Sequence, residues 1–346
     1  MSNKYLGVIG GGQLGMFTCI AAKKKGLNTL VFSNSKDFSA KNFCDDFIIG
    51  DFHNLEFVDK FLKKADFFTI ETENIPLVTL KNIEKKKNIY PKSNVVKICQ
   101  NRLLEKEFIN SINGVKTTEY FELKNFEELS SIAEKLNFNC ILKSKEFGYD
   151  GKGQFSINKN NITEFQRINF EHFIIEKFVK FKKEISVIVI RSNFETINYP
   201  PVENIHKNAI LRESLYPANI SDEIKKKAEK IAKQIAQKIK LIGVLAIEMF
   251  VLENNEILIN ELAPRPHNSG HWSMDACNES QYDNLVNVVC NKSLNEPKIL
   301  KNCKMINLIG SEYNKINELK TKYKCYDYFK KEIRNLRKMG HYVILE

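Results

Sequence analysis

The chain has 346 residues, is 43% hydrophobic and contains 24 Phe, enough for more than one core and too long for a single small domain. Its formal charge of +11 does not by itself indicate a nucleic-acid partner: only seven of the 53 basic residues are Arg, and lysine runs such as 23–25, 85–87 and 225–227 read as solvated faces. Eight Cys without a C-x-x-C spacing exclude a zinc or disulfide framework and point to reduced thiols in the cytoplasm, while no signal segment and no apolar run near the roughly 18 residues of a membrane span is seen.

Residues 5–9 form an apolar strand that runs into Gly10-Gly11-Gly12-Gln13-Leu14-Gly15, a helix over 16–25 and a strand over 29–32. The glycine spacing fits G-x-G-x-x-G, in which amides at a helix N-terminus bind phosphate. Three readings stay open: a phosphate or substrate contact, a dinucleotide site, or a turn needed only for its shape. Ser33 and Asn34 stand where a dinucleotide site would place an acid for the ribose, which disfavours the second. Strands over 47–49, 66–70 and 89–90 and helices over 54–63 and 77–86 follow, so residues 1–96 are expected to be a doubly wound, Rossmann-like α/β domain. Glu71-Thr72-Glu73-Asn74-Ile75-Pro76 falls at the carboxyl end of its fourth strand, where open α/β sheets bind ligands.

Residues 97–180 read as a small α+β unit. One helix is expected over 95–110, then a strand over 117–121, a helix over 125–136 and a strand over 140–143 that ends in Lys143. Gly148-Tyr149-Asp150-Gly151-Lys152-Gly153-Gln154 has three glycines in six residues, which suits either close approach to phosphate or an ordinary hairpin turn. A strand over 172–176 and a basic linker over 177–183 close the unit. Residues 181–295 form a larger α+β unit with a strand over 184–191, a helix over 221–240 capped by Ser221, and a helix over 281–290. Residues 296–346 read as a short C-terminal β unit with strands over 305–310 and 341–345.

Within the larger unit, 244–252 and 256–262 are two apolar strands joined by a polar turn. With Asn254-Asn255 as a two-residue loop, Glu248 directly faces Glu261 on one side of the sheet. Like charges in that position are destabilising, and a divalent cation is the simplest reason to keep them. The alternatives are a slipped register or one Glu turned to solvent.

A glycine-rich flap, a lysine ahead of a hinge and paired carboxylates on a hairpin together resemble the ATP-grasp superfamily, in which ATP lies between two α+β subdomains. Six strings, GGGQLG (10–15), ETENIP (71–76), QNRLLEK (100–106), GYDGKGQ (148–154), NELAPRPHNSGHW (260–272) and RKMGH (337–341), stand in the order and spacing of the 5-(carboxyamino)imidazole ribonucleotide synthases of purine biosynthesis. The resemblance covers essentially the whole chain. It implies a ligase that uses ATP and Mg²⁺ to phosphorylate bicarbonate and to carboxylate the exocyclic amine of 5-aminoimidazole ribonucleotide. It further implies a cytoplasmic homodimer that hands its product to a downstream mutase, with neither nucleic acid nor membrane as partner. The alternative within the superfamily is formate-dependent glycinamide ribonucleotide transformylase, against which PRPHNSGHW and RKMGH argue.

Carried onto this chain, the resemblance makes Glu248 and Glu261 metal ligands. It puts ATP on Arg102, Lys143, the flap Gly148, Tyr149, Asp150, Gly151, Lys152, Gly153 and Gln154, the hinge Glu176, Lys177, Phe178 and Val179, and on Glu184, His206, Asn260 and Glu261. The ribonucleotide falls to Tyr149, Asp150, Lys152, Arg265, His267 and Lys338, with Gln13, Leu14, Glu73 and Asn74 at the sheet edge. Arg265, His267, Asp150 and Lys338 are the catalytic candidates, and Asp150 and His267 the options for general base. Two departures from the family spelling stand out: Phe17 where a more basic residue is common, and Ser144-Lys145-Glu146-Phe147 before the flap.

Overall fold

The computed structural model describes residues 4–146, 148 and 153–346. Strands β1 (Tyr5–Ile9), β2 (Asn28–Ser33), β3 (Asp46–Ile49), β4 (Phe67–Ile70) and β5 (Ile89–Tyr90) form a parallel sheet in the order β3-β2-β1-β4-β5. The reversal of strand order beside β1 makes it doubly wound, with helices α1 (Gln13–Lys24), α2 (Leu55–Lys64) and α3 (Leu77–Glu84) as crossovers. Its central strands are buried and apolar, as parallel strands covered on both faces must be.

The Gly-rich turn does not present an open anion site. The Gly12 N–H donates to Glu71 Oε1 at 2.8 Å and the Gly15 N–H to Glu71 Oε2 at 3.1 Å, so the carboxylate that ends β4 already occupies the α1 N-terminus. The phosphate reading of this turn is therefore corrected: the anion is internal. The glycines serve close approach, since a Cβ on Gly12 would lie 2.8 Å from Glu71 Oε2. Burial raises the Glu71 carboxyl, and the two amides oppose that rise.

The expected helix over 95–110 is two helices, α4 (Ser93–Gln100) and α5 (Arg102–Asn110). Asn101 between them is extended at φ −123°, ψ 113°, and its side chain accepts from the N–H groups of Leu103 and Leu104. A strong N-capping side chain here competes with continued helix. The break delivers Arg102, the first residue of α5, to the cleft described below.

A small antiparallel sheet, in the order β6-β9-β7-β8, contains β6 (Tyr120–Glu122), β7 (Cys140–Ser144), β8 (Gln154–Ile157) and β9 (Phe173–Lys177), covered by α6 (Phe126–Lys135). The strand expected from 117 begins only at Tyr120; Thr117 instead makes an isolated parallel bridge to Ile259.

The largest sheet has nine strands, ordered β15-β14-β10-β12-β13-β16-β18-β17 with β11 against β10. They are β10 (Lys183–Arg191), β11 (Thr196–Asn198), β12 (Val202–Lys207), β13 (Ile210–Tyr216), β14 (Gly243–Val251), β15 (Ile257–Ala263), β16 (Cys303–Ile309), β17 (Lys324–Asp327) and β18 (Lys338–Leu345). Amphipathic α7 (Asp222–Lys238) lays Ile224, Ala228, Ile231 and Ile235 into one core with Val187 and Leu245, and Ser221 caps it by accepting the Ile224 N–H. Two shorter helices, α8 (Ser273–Ala276) and α9 (Gln281–Val289), pass behind the sheet.

The β14–β15 hairpin keeps Glu248 opposite Glu261 by a different route from the expected one. Leu252 and Glu256 close the turn, with Leu252 N–H donating to Glu256 O at 2.9 Å, so the loop is the three residues Glu253-Asn254-Asn255, with Asn255 left-handed at φ +63°. That loop alone would set Glu248 against Asn260 and turn Glu261 to the other face. Pairs run Val251–Ile257, Phe250–Leu258 and Met249–Ile259, then a bulge at Asn260 restores Glu248–Glu261, Ile247–Leu262 and Ala246–Ala263.

Beside the sheet lies a stack of rings, buried except for the half-buried Tyr326: Tyr326 on His341 and His341 on His271, each with centroids 4.6 Å apart, then Tyr282 on His271 at 6.0 Å. Phe17 of α1 meets His271, His341, Tyr326 and Tyr328 edge-on, so a basic residue at 17 would sit among neutral buried rings. Burial holds both histidines low, His341 at about 3 and His271 well below the ordinary range.

Two outcomes follow. Both histidines are neutral in the fold and charge in the unfolded chain below about pH 6.5, so their stabilisation is complete above that pH and lost as pH falls toward the folded values, by about 1.4 kcal/mol per pH unit for each. Urea midpoints should drop between pH 7 and 5.5, and less in His341→Phe; equal drops in both would contradict this. Glu71→Ala, which strands two amides, should destabilise the chain by roughly 1–3 kcal/mol in the same assay; a midpoint within error of the parent's would contradict the internal anion.

Candidate active site

The site is built around the segment that leaves β15. Arg265 lies between Pro264 and Pro266 and forks onto Glu73, with Nη2 donating to Oε1 at 2.8 Å and Nε to Oε2. This pair joins the end of the parallel sheet to the largest sheet. Gln281, the first residue of α9, clamps the backbone of His267: its Oε1 accepts the His267 N–H at 2.9 Å, and its Nε2 donates to the His267 carbonyl at 2.7 Å. A Cβ on Gly270 would fall 2.6 Å from that Oε1, so the clamp needs glycine there. Trp272 anchors the far end by stacking on Tyr216 at 5.1 Å.

Glu248 is buried, whereas the Glu261 side chain keeps 34% of its exposure. Burial, and then the charge of Glu261, push the Glu248 carboxyl well above the usual carboxylate range. Glu248 Oε1 lies 3.6 Å from His267 Nε2, and ligating atoms of Glu184, His206 and Glu248 all lie within 4.8 Å of one another. His206 Nδ1 sits 2.9 Å from Glu184 Oε2, as an ion pair and not as an aligned hydrogen bond. An oxygen-rich donor set, with one member pushed toward protonation by its neighbour, is what a divalent cation relieves, so these residues fit one.

Helix α5 contributes Arg102, Glu105 and Lys106 along one face, at spacings of three and four residues. Arg102 Nη1 meets Glu261 Oε2 at 3.4 Å, and Nη2 donates to the Gly148 carbonyl at 3.2 Å. Glu105 Oε2 accepts the Leu262 N–H at 2.8 Å. Glu176 lies between Lys143 at 2.9 Å and Lys106 at 3.1 Å. Burial would raise Glu176, but the two lysines hold it down to about 2. Two buried cations against one carboxylate leave a positive excess suited to an anion. Four of the seven buried side-chain atoms without a hydrogen-bond partner, among the described residues, belong to this neighbourhood: Glu105 Oε1, Lys106 Nζ, Glu176 Oε1 and His206 Nδ1. A polar ligand would satisfy them.

A cleft of about 790 Å³ opens between the three sheets. Of the expected residues, Gln13, Leu14, Glu73, Asn74, Arg102, Gly148, Glu261, Arg265, His267 and Lys338 line it. Lys143, Glu176, Glu184, His206 and Glu248 lie behind that lining in the ion pairs just described. Gln154 pairs in register with Lys143, next to Gly153, and Asn260 forms the bulge. The N–H groups of Lys177 and Phe178 already donate to the carbonyls of Glu119 and Asn139, so neither is an available hinge donor, and Val179 follows them outside any strand. Tyr149, Asp150, Gly151 and Lys152 fall outside the described residues.

The structure adds residues that sequence reading had not assigned. Glu71 plugs the Gly turn, Glu105 and Lys106 complete the α5 stripe, and Lys330 and Arg337 line the cleft from the segment before β18. The α5 spacing was a usable signal, because an ionic stripe at three and four residues on an otherwise apolar helix is rarely all solvated. Burial lowers His267 well below the ordinary histidine range, with Arg265 adding to the effect, so the ring is neutral.

Three sequence-family models tile the chain: the ribonucleotide synthetase preATP-grasp domain over 3–100, the ATP-grasp domain over 109–282 and the phosphoribosylaminoimidazole carboxylase C-terminal domain over 303–346. N5-carboxyaminoimidazole ribonucleotide synthase of Bacillus subtilis is 38% identical over 347 residues, covering 99% of this chain and 91% of that relative. The crystal structure of an ADP complex of an N5-carboxyaminoimidazole ribonucleotide synthetase superposes with a TM-score of 0.94 at 37% identity, over 100% of this chain and 94% of the other. The Aspergillus clavatus N5-carboxyaminoimidazole synthase, solved with ADP and 5-aminoimidazole ribonucleotide, superposes with a TM-score of 0.91 at 28% identity, over 99% and 94%. With a family model over half of its length and a relative 38% identical across 99% of it, this chain belongs to the N5-carboxyaminoimidazole ribonucleotide synthase family of ATP-grasp proteins.

Proposed function

We propose that the chain is an ATP-dependent carbon–nitrogen ligase that converts 5-aminoimidazole ribonucleotide, bicarbonate and ATP into 5-(carboxyamino)imidazole ribonucleotide, ADP and phosphate. The observation that carries this reading is the convergence of Glu248–Glu261, Arg102 and Arg265–His267 at the edge of one cleft.

In this reading, Lys143, Lys106 and Arg102 neutralise the nucleotide phosphates, while Glu184, His206 and Asn260 hold the rest of the nucleotide. Glu248 and Glu261 hold Mg²⁺, which supplies charge to the phosphates. The γ-phosphoryl group passes from ATP to bicarbonate, leaving ADP and forming carboxyphosphate; the exocyclic amine then gives up a proton and takes the carboxyl carbon, from the anhydride or from CO₂ released by it, as phosphate leaves. Lys338, Arg265 and the Gln13-Leu14 turn orient the ribonucleotide, with Tyr149, Asp150 and Lys152 completing its contacts and the flap excluding water from the labile anhydride. A homodimer that works in the cytoplasm and passes its product to a mutase belongs to the same proposal.

ADP release in the presence of Mg²⁺ should require bicarbonate and be stimulated by 5-aminoimidazole ribonucleotide. Stimulation only by formate with glycinamide ribonucleotide would reject the proposal. Glu261→Gln should lower turnover by at least about 100-fold at saturating Mg²⁺ with an unchanged circular dichroism spectrum; parental turnover would remove it from the metal site. Lys338→Ala should raise KM for the ribonucleotide about tenfold and KM for ATP less than about twofold. Equal rises in both would place Lys338 elsewhere.

A further inference from the structure

A row of four buried side chains runs across the largest sheet and ends on His267. Ser214 of β13 donates from Oγ to Asn204 Oδ1 of β12 at 2.8 Å. Asn204 Nδ2 donates to Ser186 Oγ of β10 at 2.9 Å, and Ser186 Oγ donates to Ser269 Oγ at 2.7 Å. Ser269 Oγ lies 2.8 Å from His267 Nδ1. Ser214 and Asn204 are direct partners across β12–β13, and Ser186 is diagonal to Asn204 across β10–β12. All four are at most 4% exposed.

The direction of this row is set by its ends. An amide nitrogen only donates, so Ser186 accepts from Asn204 Nδ2 and keeps its own proton for Ser269. The Ser269 backbone N–H points at His267 Nδ1 from 3.3 Å, so that nitrogen is an acceptor. With its oxygen accepting from Ser186, the Ser269 hydroxyl completes the row by donating to the same nitrogen. Two donors on Nδ1 leave that nitrogen without a proton and place the ring's proton on Nε2, which faces Glu248 Oε1 at 3.6 Å.

We infer that Ser269, oriented by Ser186, Asn204 and Ser214, is a positioning residue that fixes His267 as the Nε2–H tautomer, so that this histidine serves the cleft as a hydrogen-bond donor and not as the general base. The role rests on the proposed carboxylation, in which an oxygen of bicarbonate or carboxyphosphate is the acceptor beside the carboxylate pair. It removes His267 from the two candidates for the base. Burial of every member gives the row its force, since each of its side-chain polar atoms has a partner and a buried polar network of that kind is rigid.

The test is a nitrogen-15 spectrum of histidine-labelled full-length protein at pH 7.5 without nucleotide or substrate. Six histidines make it tractable, and His267 is assigned by the signal lost in His267→Gln. The expected spectrum shows His267 Nδ1 unprotonated and Nε2 protonated, with the Nδ1 signal displaced in Ser269→Ala. Ser269→Ala should lower kcat roughly tenfold with KM for ATP unchanged within about twofold. The double variant Ser186→Ala/Ser269→Ala should match Ser269→Ala alone, because Ser186 acts only through Ser269. A proton on Nδ1 in the parent, an unmoved signal in Ser269→Ala, or additive losses overturn the inference. If Ser269→Ala does not fold, Ser186→Ala on its strand is read in the same spectrum, and the parent spectrum alone decides the tautomer. An inactive chain that shows the expected tautomer would count against the ligase reading and leave this inference standing.

Discussion

Two acidic side chains that face each other inside a sheet govern this molecule. Glu248 and Glu261 repel one another, and Glu248 cannot relieve that repulsion by turning to water because it is buried. Every neighbour answers to this. Arg102 reaches across from another unit to touch Glu261, and His206 and Lys338 lower the cost at Glu248. Glu105 takes an amide of the same strand through its carboxylate. A chain that carries such repulsion through its fold gains by binding a cation.

The N-terminal unit shows the opposite economy. Its Gly turn and helix N-terminus have the shape that holds phosphate elsewhere, yet Glu71 satisfies both amides from within. What remains for ligands is the rim: Gln13, Leu14 and Asn74, with Glu73 spoken for by Arg265. The parallel sheet thereby forms one wall of the cleft, while the facing carboxylates and Lys143 belong to the antiparallel sheets.

Much of this was legible in the residues, for physical reasons that differ from place to place. The doubly wound half announced itself through continuous apolar strands separated by helical periodicity, and every one of its strands stands where the pattern put it. The facing glutamates were legible although the turn was not: a three-residue loop shifted the register by one, and a bulge at Asn260 shifted it back. Neither event leaves a mark in composition, because Asn suits both turn types. Strands β12 and β13 went unseen because they bury Asn204 and Ser214 instead of alternating apolar side chains, and because Asn208-Ala209 turns with both residues left-handed and no glycine. The break at Asn101 was hidden by the helix formers on either side of it. Glu71 was left unassigned because a carboxylate at a strand end suits a ligand and an internal partner equally well, and only coordinates distinguish one that waits for a partner from one that has found it.

The Arg265–Glu73 fork separates two effects that share a name. Its side chains are only 15% and 18% exposed, so dissolved ions screen it weakly, whereas most of the 46 lysines behind the chain's positive balance lie in open solvent. Raising ionic strength therefore weakens long-range attraction for anionic metabolites while the seam between the sheets stays shut. Capture slows, and the architecture that does the chemistry is left as it was.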